Sequence, residues 1–85
     1  AAYAAAKAAA EAWTLALADA FDGSSAAASI IVVKALLTPA MQEKKPDAAV
    51  EGFTHVSDLA AEVVRLWDKP TGAVNGARIW MTERP

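Results

Sequence analysis

The chain has no cysteine, one histidine, one tyrosine and only four glycines and four prolines in 85 residues. The missing cysteine excludes disulfides and thiolate metal sites, and it fits a reducing compartment. The lone His55 has no clustered partners, so a metal centre is not expected, and the residue reads as a helix boundary. No apolar run reaches the ~18 residues of a membrane span. The N-terminus lacks the basic start and hydrophobic middle of a secretory signal. Charge of one sign is also missing: eight basic and ten acidic residues are interspersed, for a net charge of −2. With no basic patch, nucleic acid is not an expected partner.

What the chain has in quantity is alanine. Hydrophobic residues make up 55% of it, more than a small free domain usually needs. A chain this short buries only ~60–65% of the surface that its unfolded form exposes. The sequence opens Ala1-Ala2-Tyr3, inside a helix-forming run and without an initiator Met. Both features lead us to expect one partial domain over residues 1–85 that oligomerises or belongs to a longer protein.

Tyr3 to Phe21 reads YAAAKAAAEAWTLALADAF, with no Gly or Pro. Alanine and leucine make helix the expectation, ending near Asp22-Gly23. Tyr3, Lys7, Ala10, Thr14, Leu17 and Phe21 fall on one stripe at helical spacing. Ser29-Ile30-Ile31-Val32-Val33-Lys34 is a β-branched run without polar alternation, the pattern of a strand buried on both faces of a parallel sheet. Residues 35–54 read as loop-like: Pro39 and Pro46 interrupt long elements, Lys44-Lys45-Pro46-Asp47 is a polar turn, and Asp47–Glu51 is a candidate short helix.

A second helix is expected over Val56–Asp68, with a stripe of Val56, Leu59, Ala60, Val63, Val64 and Trp67. Thr54 or Ser57 is the expected cap, and Asp58 suits the positive end of the helix dipole. Lys69-Pro70-Thr71-Gly72 and Asn75-Gly76 read as turns, and Ala77–Thr82 as a second strand. The two strands and the helix between them predict a right-handed parallel βαβ unit. Trp13, Trp67 and Trp80 are expected in the core or a subunit interface.

One pair carries chemistry. Tyr3 and Lys7 are four residues apart and share a helix face. A free phenol titrates near ~10, and a neighbouring ammonium stabilises the phenolate. Such a Tyr can protonate a carbonyl oxygen as hydride arrives at its carbon, or take the proton from an alcohol in reverse. The plain alternative for this spacing is a surface Lys beside a partly buried Tyr. Glu11, one turn after Lys7, reads as facing solvent.

The order of features is more specific than any one of them. A helix opening on Tyr3-Ala4-Ala5-Ala6-Lys7 precedes the strand. Leu36-Leu37-Thr38-Pro39-Ala40-Met41, a variable loop, an amphipathic helix and a last strand after Asn75-Gly76 then follow. Over essentially all 85 residues this resembles the C-terminal part of the short-chain dehydrogenase/reductase family.

The resemblance implies an α/β fold: the C-terminal helix-strand-helix-strand portion of a Rossmann-like doubly wound parallel sheet, whose N-terminal half is absent. It implies a cytoplasmic oxidoreductase using NAD or NADP on a small carbonyl or alcohol substrate. Tyr3 would be the acid/base, with Lys7 assisting it and contacting the nicotinamide ribose. Thr38 would contact the nicotinamide carboxamide, and Met41 and Phe53 would line a substrate lid. Homo-oligomerisation would run through the first helix.

Most family members place Pro-Gly after the strand, where Val33-Lys34 stands here. In this the chain is more like the dihydropteridine-reductase-like branch, which also has a Thr-Pro step. Lys34 has two readings, a cofactor contact or a strand-end charge turned to solvent. Gly23, Gly52, Gly72 and Gly76 form no G-x-G-x-x-G, so the chain alone is not expected to bind a dinucleotide. The reading from another class is a non-catalytic α/β interaction or oligomerisation module.

Overall fold

The structure is a computed structural model and describes residues 1–45 and 47–83. Pro46, read above as a breaker in a polar turn, lies outside the described residues. The chain is mixed α/β. Its elements run α1 (Ala2–Phe21), β1 (Ile30–Val32), β2 (Leu36–Leu37), α2 (Pro39–Lys44), a 3-10 turn (Asp47–Val50), β3 (Thr54–His55), α3 (Val56–Trp67), α4 (Thr71–Val74) and β4 (Arg78–Trp80).

The strands form two short pairs, β1 with β4 and β2 with β3. In the second pair Leu36 and Leu37 run parallel to Thr54 and His55. Contacts divide the chain into two compact units, Ala1–Ile30 with Lys69–Ile79, and Ile31–Asp68 with the chain from Trp80 onward.

In the first unit, α1 is as long as its composition predicts. Gly23 takes φ +78° just past its end, a conformation that a side chain would strain. The Ser24 N–H donates to Phe21 O at 2.9 Å, satisfying one carbonyl of the last turn. The contact face is carried by Glu11, Thr14, Leu15, Leu17, Ala18 and Phe21, with Ala18 only 5% exposed. The expected stripe holds from Thr14 onward. Tyr3, Lys7 and Ala10 are exposed, as is every residue up to Ala10.

The Asn75 carboxamide fastens this unit. Nδ2 donates to Ala18 O at 2.7 Å, and Oδ1 accepts from the Ala28 N–H at 3.0 Å. Ser29 Oγ donates to Val74 O at 2.6 Å, and Val74 is buried. The Ile30 N–H donates to Ala77 O at 2.9 Å where β1 begins. Asn75-Gly76 is a turn as expected, with Gly76 at φ +75°. The turn expected at Lys69–Gly72 is shorter, because α4 already starts at Thr71, after an extended Pro70.

In the second unit, residues 35–54 hold more structure than a loop. Pro39, read as a breaker, is a helix starter. It occupies the first turn of α2, where its missing N–H costs nothing. The 3-10 turn sits where the short helix around Asp47–Glu51 was expected. The Thr54 N–H donates to Ala35 O at 2.8 Å, and Thr54 Oγ1 to Met81 O at 3.3 Å. Thr54 and Leu37 are this unit's buried residues among those described.

α3 spans the expected residues, but its cap is neither Thr54 nor Ser57. His55 caps it, with Nδ1 accepting from the Ser57 N–H at 3.1 Å. Thr54 is committed to β3, which leaves the next residue to close the helix start. The covered face of α3 is carried by Val56, Leu59, Glu62 and Leu66. The apolar stripe is rotated from it, so Val63, Val64 and Trp67 are 53%, 66% and 89% exposed.

Three further expectations change. β1 is half-buried rather than buried on both faces, since a two-stranded pair leaves one side of it without a strand neighbour. Trp13 and Trp67 are exposed, so of the core and interface roles expected for them the core role does not hold, whereas Trp80 is half-buried. Glu11 does not simply face solvent. It forms an ion pair with Arg78 of β4.

Candidate functional site

The first ten residues hold just two functional side chains, Tyr3 and Lys7, in a field of alanines. Both stand on α1, one turn apart. Lys7 Nζ lies 5.7 Å from the centroid of the Tyr3 ring. That is cation–π range, worth about 0.5–1 kcal/mol at an exposed site. Tyr3 is 75% exposed, so its phenol is open to a ligand from solvent. The alanine neighbours add no bulk around the pair. What the pair offers chemically is a solvent-open phenol beside an ammonium.

The second unit holds the other candidates. Thr38 is the N-cap of α2, and its Oγ1 accepts from the Met41 N–H at 3.2 Å. One hydroxyl lone pair is thereby taken up by capping, and the hydroxyl hydrogen is left for another partner. Met41 and Phe53 are both half-buried. The Phe53 N–H donates to Val50 O at 3.0 Å, which closes the turn that carries the ring.

Lys34 has a role that neither sequence reading proposed. Its Nζ donates to Glu51 O at 3.0 Å and lies 6.0 Å from the Phe53 ring centroid. Between these partners Gly52 takes φ +80°, and a Cβ there would come within 3.3 Å of Lys34 Cδ. The lysine is exposed, yet it is tied to the turn. The sequence carries no signal for this cluster, because 17 positions separate Lys34 from Glu51.

The structure therefore brings Tyr3 beside Lys7 in one unit, and Lys34 beside Phe53 in the other. Two clefts of about 380 and 280 Å³ lie in the first unit, lined by the end of α1 together with Asn75. Neither is lined by Tyr3 or Lys7. Among the described residues, no group of three or more His, Cys, Asp or Glu is placed to hold a metal ion.

No family is shown. The chain has no significant match to a family model, to a characterised protein or to a solved structure. Among the described residues, no helix is long and apolar enough to cross a membrane.

Proposed function

We propose that this chain is the C-terminal portion of a cytoplasmic NAD(P)-dependent oxidoreductase of the short-chain dehydrogenase/reductase type, acting on a small carbonyl or alcohol. The observation that carries the reading is the Tyr3–Lys7 pair, side by side and solvent-open on a helix face of alanines. Tyr3 is the acid/base: its hydroxyl gives a proton to the substrate oxygen in reduction and takes it back in oxidation. Lys7 stands one helical turn away with its ammonium beside the Tyr3 ring, and its N–H donors suit a ribose hydroxyl. The nicotinamide, when bound, supplies the hydride.

The donor set fits one part of that cofactor and not the rest. The phenol and ammonium on α1 suit a ribose hydroxyl. Gly23, Gly52 and Gly76 sit in turns and Gly72 in α4, and the four form no G-x-G-x-x-G phosphate cradle. On this reading the dinucleotide-binding half precedes Tyr3 in a longer polypeptide. Titration calorimetry of the chain alone is expected to give no saturable NAD(H) or NADP(H) binding; micromolar binding would contradict this division of labour. α1 is also the proposed homo-oligomer contact, since its small alanines permit close approach and Trp13 is 68% exposed.

A second reading rests on a different observation. Val63, Val64 and Trp67 give α3 an exposed apolar stripe, the kind of surface that marks an interaction site. On that reading the chain is a non-catalytic α/β interaction module. Sedimentation of the chain alone and with Trp67→Ser separates the two: self-association lost with Trp67 favours the module, and association that survives it favours contact through α1.

A further inference from the structure

Asn75 is the one asparagine in the chain, and glycine follows it. Asn-Gly is the dipeptide most prone to deamidate in water, because glycine leaves its backbone nitrogen unshielded. In that reaction the Gly76 nitrogen loses its proton to hydroxide and attacks Asn75 Cγ. The N–Cγ bond forms, the Cγ–Nδ2 bond breaks, and Nδ2 leaves as ammonia. Water then opens the cyclic imide at either carbonyl, giving aspartate or its β-linked isomer. Nothing is oxidised or reduced.

In the folded first unit, every group that must move is held. The nucleophile, the Gly76 N–H, donates to Ala28 O at 2.7 Å. The leaving group, Nδ2, donates to Ala18 O at 2.7 Å. Oδ1 accepts from the Ala28 N–H at 3.0 Å. The two carboxamide partners lie 57 and 47 positions away in sequence, so the restraint exists only while the unit is folded. Asn75 lines a cleft of about 380 Å³, so water has access to it. The restraint is the hydrogen bonding.

We propose that Asn75 is a fold-gated deamidation site. Folding holds the reaction off, opening of the first unit lets it proceed, and the product does not refasten. A carboxylate at position 75 has no hydrogen for Ala18 O and sets two acceptors against each other at a part-buried position. The β-linked isomer also lengthens the backbone just ahead of β4. One opening event thus becomes permanent. The inference is independent of the oxidoreductase reading.

The test incubates the whole chain in mildly alkaline buffer, with and without urea above its unfolding midpoint. Mass spectrometry follows amide-to-acid conversion of the Asn75 peptide. Asp22-Gly23 can form the same imide but exchanges acid for acid, so it adds no mass. Conversion in urea is expected to be at least about tenfold faster than in native buffer, as for any reaction that needs local opening. Equal rates, or no conversion in urea, would overturn the gating. Asn75→Asp is expected to lower the urea midpoint or fail to fold; an Asn75→Asp variant as stable as the parent would overturn the irreversible step.

Discussion

The Lys34 ammonium donates to the Glu51 carbonyl oxygen and stands over the Phe53 ring, bridging two segments that the sequence keeps apart. Lys34→Met keeps the aliphatic stem beside Gly52 and removes the donor. It is expected to cost no more than about 1 kcal/mol, because the bond is exposed. The local effect is larger: the Phe53 amide, bonded to Val50 O, is expected to exchange faster by hydrogen-exchange mass spectrometry. Unchanged exchange would mean that the turn closes without the lysine.

Two caps are open to direct test. Thr38→Ala removes the acceptor for the Met41 N–H, and His55→Ala the acceptor for the Ser57 N–H. Each is expected to lower stability by about 1 kcal/mol in urea unfolding. Thr38→Ser and His55→Asn keep an acceptor at the same position and should recover most of the loss. Failure of Asn to substitute at 55 would mean that the imidazole matters through packing rather than capping.

The Glu11–Arg78 ion pair joins α1 to β4 within the first unit. Both side chains are more than a third exposed, 38% and 46%. Glu11→Gln is therefore expected to cost less than about 1 kcal/mol. The difference should fade as salt is raised, because exposed pairs are screened. A loss that persists at high salt would assign Glu11 a role beyond charge.

How much was legible in the sequence follows from the range of each interaction. α1 and α3 were legible because their signals are local: alanine and leucine runs, a periodic stripe, and Gly23 at the end. The turn at Asn75-Gly76 was legible for the same reason. The 35–54 segment was misread because Pro39 has two local meanings, and only the Thr38 hydroxyl on the Met41 N–H decides between them. Periodicity marked the apolar face of α3 but not which edge of it is covered, since that depends on tertiary packing. Of the candidate site, the spacing of Tyr3 and Lys7 fixed their adjacency on a helix. The Lys34–Phe53 cluster and the Asn75 clamp arise from long-range contacts that no local pattern encodes.

Trp67 is the sharpest probe of the exposed α3 stripe. Its 89% exposure predicts that Trp67→Ser changes the stability of the isolated chain by less than about 0.5 kcal/mol. A loss of several kcal/mol would show that the indole is covered in solution.

The proposed role of Tyr3 as an acid/base beside Lys7 is tested most directly by nicotinamide oxidation. The reaction is followed by absorbance in the longer polypeptide that the proposed function calls for, with a panel of small carbonyls. The parent and Tyr3→Phe are compared, with unfolding curves recorded for both. On the proposed reading, turnover is expected in the parent and its loss in Tyr3→Phe, with stability unchanged because Tyr3 is exposed. Turnover that survives Tyr3→Phe would contradict that role.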